Sequence, residues 1–367
     1  MGRPRTGAAA RWALVGGGVA VLLVLPPLID ALPAADAPTS AVDLRTRALG
    51  SAGVAFAGYA QSAGGLDLPV GEQLTDAADL FSDRTTMRAW YRGPADWRVD
   101  VVTPTGETGV HADGCGTWTW DWEDAVATWS EPGPLAFPSP SDLLPSALGR
   151  RLLSEAAEDE LSRLGAERVA GRDALGLRVE PAAEAASVPR VDVWVDRATG
   201  LPLRVQVWGD DAAEPAMDTS FLELDLTVPP AEVTAFTVPE GAEVREGQAE
   251  QLLQAADRDR RRGPALPSSL AGLDRRVVEG APRSVGVYGR GVTLLAVGVL
   301  PDRAAAGLRA ELSRAPGAVV DPLGTRIAAG PLGLMIVDGP DGALLLTGTV
   351  TLDALAAAAT DLTGRAG

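Results

Sequence analysis

The stretch V-P-R-V-D-V-W-V-D-R-A-T-G-L-P-L-R-V-Q-V-W-G, residues 188–209, decides the fold. Val191, Val193 and Val195 alternate with Asp192, Trp194 and Asp196, and beyond a short break Leu201, Leu203, Val205 and Val207 alternate with Pro202, Arg204, Gln206 and Trp208. Side chains of a strand leave on opposite faces with period two, so each run has one aliphatic face and one polar–aromatic face. Asp196, Thr199 and Gly200 supply the turn, with Gly200 the natural residue for a positive φ. Pro202 falls at a strand start, where a missing N–H is tolerated. The reading is a β-hairpin in a sheet with one apolar side.

The flanks continue the pattern. Glu167 to Pro181 gives two short strands hinged at Gly171, and Phe221 to Val228 alternates Leu222, Leu224 and Leu226 with Glu223 and Asp225. The strand pair V-A-G-R-D-A-L-G-L, followed by V-D-V-W-V-D-R-A-T-G-L-P-L-R-V-Q-V, resembles the LolA-type lipoprotein carriers and the related MucB/RseB regulators of envelope-stress sigma factors. The resemblance implies an α+β fold: a curved, half-open antiparallel sheet around a hydrophobic cavity, with helices as a lid, followed by a smaller α+β domain.

The 367 residues allow two domains and a sizeable core, and a hydrophobic content of 46% argues against disorder. A net charge of −17 argues against a nucleic-acid partner, which would need a basic face. The chain contains no lysine. Residues 1–37 read as a targeting segment, with Arg3, Arg5 and Arg11 preceding an apolar run from Trp12 to Ile29. At about 18 residues the run suits either a cleaved signal peptide or a membrane anchor. Either places the remainder outside the cytoplasm, anchored to the cell membrane or secreted. The single cysteine, Cys115, leaves no lipobox in that segment and no internal disulfide.

Residues 38–240 are expected to form the first domain. A helical piece and a Gly/Ala-rich strand (53–59) lead through a loop (64–80) to strands near 84–92, 97–102, 107–112, 116–122 and 126–129, a meander that curls. Trp118, Trp120 and Trp122 stand at period two and leave one face, with Gly109 expected opposite Trp118. They read either as an aromatic wall of a lipid cavity or as core packing against the lid. Ser141-Asp142 can cap a helix in which Leu143, Leu144, Leu148, Leu152 and Leu153, then Leu161 and Leu164, recur at helical spacing, with Gly149 as a break. The spacing predicts a helical hairpin inserted between two halves of the sheet, and Glu155, Glu158, Asp159 and Glu160 read as its solvated face.

Residues 241–266, with D-R-D-R-R-R-G-P at 257–264, read as a linker, and residues 267–367 as a small α+β domain. That domain resembles the C-terminal domain of the MucB/RseB group through Tyr288-Gly289-Arg290-Gly291-Val292 and the run from Leu346 to Thr351; Arg290 and Ala296 stand where the family pattern has an acid and a serine.

Chemistry is sparse. His111 is the only histidine, and no G-x-S-x-G elbow accompanies it. A Cys115–His111 pair would lack an orienting group and an oxyanion hole. Metal sites fail for want of His and Cys. The expectation is no enzyme, no cofactor and no metal, but a regulator that binds a hydrophobic ligand (acyl lipid or lipoprotein acyl chains) and modulates a membrane anti-sigma factor. A LolA-type carrier is the alternative and an exported hydrolase the remote one. The expected ligand-lining residues are Val191, Val193, Val195, Leu203, Val205 and Val207 together with Trp118, Trp120 and Trp122.

Overall fold

A computed structural model describes residues 34–64, 84–102, 106–133, 139–210, 212–247, 266–282, 284–300, 302–339 and 342–364. Residues 1–33 of the targeting segment, the expected loop from residue 65 to 80 and the charged run at 257–264 lie outside them.

In chain order, helix α1 (Ala41–Gly50) precedes strand β1 (Phe56–Ala63) and the meander β2 (Arg84–Gly93), β3 (Asp96–Val102), β4 (Glu107–Ala112), β5 (Thr117–Asp121) and β6 (Val126–Ser130). Helix α2 (Pro145–Leu153) is followed by β7 (Leu161–Arg163), β8 (Glu167–Val169), β9 (Arg172–Val179), β10 (Arg190–Asp196), β11 (Pro202–Trp208) and β12 (Met217–Asp225). A single-turn helix α3 (Ala231–Thr234) leads to β13 (Glu243–Glu246). These strands form one 13-stranded sheet ordered β13-β6-β5-β4-β3-β2-β1-β12-β11-β10-β9-β7, with β8 hanging from β9. Neighbours run antiparallel except β13, which lies parallel to β6.

The opening hairpin is where its alternation put it. Val191 pairs with Val207 and Val193 with Val205, and Gly200 takes φ +81 in the turn. Asp196 Oδ2 accepts hydrogen bonds from the Thr199 backbone N–H (2.8 Å) and Oγ1 (2.7 Å), fixing the turn from within. A Cβ on Gly200 would also stand 2.6 Å from the Arg47 carbonyl, so α1 seats on this turn only because the residue is glycine.

Two helices cover the inner, aliphatic face. Helix α1 is capped by Ser40, whose hydroxyl accepts from the Asp43 N–H at 3.0 Å. Pro145 opens α2 at a position where a missing N–H loses nothing. Gly149 does not break α2. It lies against β11, where a Cβ would come within 2.6 Å of Pro202. The expected second helix of the hairpin is absent: Leu161 belongs to β7 and pairs with Val179, because a strand there satisfies the free edge of β9.

The second unit opens with a two-stranded ribbon, β14 (Ser269–Leu270) and β15 (Leu273–Asp274). It continues with β16 (Val285–Arg290), β17 (Thr293–Leu300), helix α4 (Asp302–Leu312), β18 (Val319–Asp321), β19 (Gly324–Ala329), β20 (Leu332–Gly339), β21 (Gly342–Gly348) and helix α5 (Leu352–Thr363). Its six-stranded sheet runs β16-β17-β21-β20-β19-β18. Leu355, Ala358 and Ala359 of α5 pack with Tyr288, Leu295, Met335 and Leu346, while Ala305 and Leu312 of α4 join Ile327 and Ile336 in a separate cluster. The mixed α+β class expected from the sequence is therefore observed. The first sheet extends past the expected domain limit at residue 240, since β13 adds a strand at 243–246.

Candidate functional site

The structure gathers the six aliphatic residues of the predicted ligand face. Val191, Val193, Val195, Leu203 and Val205 have no accessible surface, and Val207 is half-buried beside them. What covers them is the lid: Leu44 and Ala48 of α1, Leu153 at the end of α2, and Ala156 just beyond it. Toward β1 and β2 the same face continues through Leu203, Phe56, Met87, Tyr91 and Phe221. Burying each such aliphatic side chain contributes roughly 1.5–3 kcal/mol, so the seated lid is a substantial part of the fold's stability. Leu222 of the alternating run is exposed, and Phe221 takes the inner position.

The three tryptophans do not join that face. Directly paired residues share a face, and the pairs Val193–Val205, Val205–Thr219, Thr219–Ser62 and Ser62–Thr85 carry the aliphatic face to β2. Continuing by period two through Met87–Val101, Val101–Thr108 and Thr108–Asp121, the inner positions of β5 are Thr117, Thr119 and Asp121. Trp118 and Trp120 therefore leave the outer face. Trp118 is opposite His111 rather than Gly109, because the turn from Asp113 closes on Gly116 and spans four residues instead of two. Gly109 faces Trp120.

On that outer face the rings meet Phe236, brought over by α3. Trp118 lies 4.9 Å from Trp129 and 5.8 Å from Phe236, Trp120 5.7 Å from Trp122, and His111 4.8 Å from Phe236. Trp120 is buried with its Nε1–H unpartnered, whereas Trp122 is 56% exposed. The His111 Nδ1 stands 3.1 Å from the Thr234 carbonyl. Burial is the main effect lowering the His111 pKa and the nearby Arg98 adds to it; the Thr234 carbonyl and Asp100 oppose, and the ring stays neutral at pH 7. Cys115 is exposed in the Asp113–Gly116 turn. Among the described residues no group of three His, Cys, Asp or Glu is placed to hold a metal.

The rest of the outer face is a ladder of bidentate arginine–carboxylate pairs. Arg178 reaches Asp192 at 2.6 and 2.8 Å, Arg172 reaches Asp196 at 2.8 and 3.2 Å, and Arg204 reaches Asp218 at 3.0 and 2.5 Å. The planar fork of arginine suits this pairing in a way lysine would not. Asp192 and Asp196 are 3% and 2% exposed, so these two carboxylates are engaged by their arginines rather than left to solvent.

Sequence reasoning missed the contact between the two units. The acidic run after α2, expected to be a solvated face, holds the second domain. Glu155 takes the Arg276 guanidinium at 2.9 and 2.5 Å and the Gly291 N–H at 2.6 Å. Glu160, only 7% exposed, takes Arg290 at 2.9 and 2.7 Å and the N–H groups of Ala157 (2.8 Å) and Ala182 (3.0 Å). Hydrogen bonds from Gly291 and Arg276 hold the Glu155 carboxyl below the usual range; for Glu160 burial pushes upward, but Arg290 and the two amides outweigh it. Arg290, the departure from the family pattern noted in the sequence, is the residue that makes this pair. Val292, between β16 and β17, inserts into the first domain's core beside Leu153 and Val179, while Ala183 and Ala185 pack against the core of the second. A backbone clamp completes the junction: Ala186 bridges Val350, the Ser187 N–H donates to the Thr349 carbonyl at 3.3 Å, and the Thr351 N–H to Ala185 at 3.0 Å. Beside the ion pairs lies a cavity of about 370 Å³, bordered by Glu160 and Arg290 and lined by Leu152, Ala156, Val179, Arg275, Val292 and Thr293.

A curved antiparallel sheet with helices seated on its apolar inner face, joined to a small α+β domain, is a LolA-like architecture. Residues 138–239, which contain α2 and the opening hairpin, match the family model described as the MucB/RseB N-terminal domain, so the resemblance read from the sequence holds over that region. No curated protein sequence matches the chain. Among solved structures, the Pseudomonas aeruginosa MucA/MucB complex is similar at TM-score 0.51 and 18% identity, covering 87% of this chain and 96% of that one. MucB in complex with MucA(peri) is similar at TM-score 0.48 and 19% identity over 87% and 97% of the two chains. A LolA superfamily protein from Nitrosomonas europaea is similar at TM-score 0.25 and 10% identity over 54% and 98%.

Proposed function

We propose that the protein is an extracytoplasmic, membrane-anchored regulator of the MucB/RseB type, which binds a hydrophobic ligand under its lid and modulates an anti-sigma factor. The observation that carries this reading is the docking of a second domain directly onto the lid's end, at Glu155 and Glu160. A simple carrier needs the cavity and the lid; a second domain held by the lid has work to do only if lid position is reported onward. The MucB/RseB match over residues 138–239 and the likeness of the fold to MucB, solved together with MucA, support the same reading.

The ligand is an acyl chain, received by Val191, Val193, Val195, Leu203, Val205 and Val207 once α1 and α2 move off them. The tryptophans on the other face take no part in that contact. The anchor is the apolar run within residues 1–37; no helix among the described residues is long and apolar enough to cross a membrane. The first domain then runs from residue 38 through β13 to at least Glu246, past the expected limit at 240, and the second spans 267–367. His111 packs on Phe236 with its Nδ1 at the Thr234 carbonyl, a structural role that suits a binding protein.

The test is isothermal titration of the protein with the extracytoplasmic segment of an anti-sigma factor from the same genome, with and without a saturating long-chain fatty acid. Binding that the fatty acid weakens supports a regulator. Fatty-acid binding with no anti-sigma binding would instead favour the carrier.

A further inference from the structure

Resting on the reading above, we propose that the acidic segment Glu155–Glu160 is the transmission between the lid and the second domain: seating α2 on the sheet closes the ion pairs to Arg276 and Arg290, and lifting it opens them. The geometry supports this at each step. Helix α2 ends at Leu153, whose side chain has no accessible surface beneath it, and Glu155 follows two residues later. Two residues of flexible chain cannot absorb a displacement of the helix end by several ångströms without moving Glu155. Glu155 and Glu160 carry paired, bidentate, charge-assisted bonds whose geometry is lost over such a distance.

The junction has a second attachment that does not touch the lid. Ala185, Ala186 and Ser187, between β9 and β10, hold Thr349, Val350 and Thr351 by backbone pairing, and the Ser187 hydroxyl donates to the Pro331 carbonyl. That clamp sits on the connection between two strands of the sheet, and none of its bonds involves α2. Glu160, Arg276 and Arg290 border the cavity lined by Leu152, Ala156 and Val292, so the releasable side of the junction has space beside it. A domain held this way pivots about the clamp when the ion pairs open.

Amide hydrogen exchange on the full chain tests the coupling without any ligand. In Gly149→Val the new side chain is forced against Pro202, and α2 loses its seat. The expected result is faster exchange in α2 together with at least roughly tenfold faster exchange at the Gly291 amide, while the Ser187 and Thr351 amides keep wild-type protection. Unchanged protection at Gly291 while α2 exchanges faster would overturn the proposal. Glu155→Gln/Glu160→Gln supplies the reciprocal measurement without altering the lid, and guards against a Gly149 variant that fails to fold. Linkage requires the α2 amides to exchange several-fold faster in it; α2 exchange equal to wild type would overturn the proposal. Neither arm involves an acyl ligand, so a chain that binds no lipid could still show the coupling.

Discussion

Asp196 ties the hairpin turn to the outer ladder. It is 2% exposed and accepts from Arg172 and from both donors of Thr199. Burial works to raise its pKa, but these donors outweigh it and hold the carboxyl below its ordinary value. Its stabilising contribution is present above about pH 4 and is lost as pH falls through the depressed folded value. Asp196→Asn, which leaves Arg172 facing a neutral amide, should destabilise by about 2 kcal/mol in urea unfolding at pH 7, and by progressively less on acidification. Gly149→Ala tests packing against propensity. Alanine is favoured over glycine in a helix by about 1 kcal/mol, yet the Cβ would sit 2.6 Å from Pro202, so the substitution should destabilise by about 1–3 kcal/mol. The tryptophans separate by the same logic. Trp120→Ala should lose about 3–5 kcal/mol, while Trp122→Ala, at the exposed end of the cluster, should change stability by less than about 1 kcal/mol.

At the scale of elements, the strands were legible because each carries a strict alternation bounded by turn residues. All five meander strands and the opening hairpin fall within a residue or two of their expected limits. Period two says which residues share a face within one strand. It cannot say which face of a distant strand joins it, and so Trp118 and Val193 were placed in one cavity that the register divides. Leu161 and Leu164 continued a helical spacing from α2 across a break, but edge pairing with β9 decided their conformation. The acidic run reads as solvated because four carboxylates in six residues look so until the arginines that pair with them, 121 and 130 residues later, are brought alongside. The lid itself invites a direct test. Leu153→Ala removes a side chain with no accessible surface from the end of α2 and should destabilise by about 2–5 kcal/mol.

For the whole molecule the junction dictates an acid response. Glu155 and Glu160 both titrate below the ordinary glutamate range in the folded state, facing Arg276, Arg290 and, across from Arg290, Asp159. Stabilisation from depressed carboxyls is complete above the unfolded value of about 4.3 and disappears as pH falls through the lower folded values. Calorimetry should therefore show the two domains unfolding together at pH 7 and in separate transitions near pH 3, with only the backbone clamp and the apolar contacts of Val292, Ala183 and Ala185 left to hold them.

The central claim, that the inner face beneath α1 and α2 receives an acyl chain, is tested most directly by native mass spectrometry of residues 34–367 purified from a lipid-containing host. The account predicts a bound species whose extra mass is released by organic solvent as acyl lipid, and whose occupancy rises when long-chain fatty acid is added. A clean apo mass that takes up neither fatty acid nor phospholipid would contradict it, and would leave the lid-covered face as a core and nothing more.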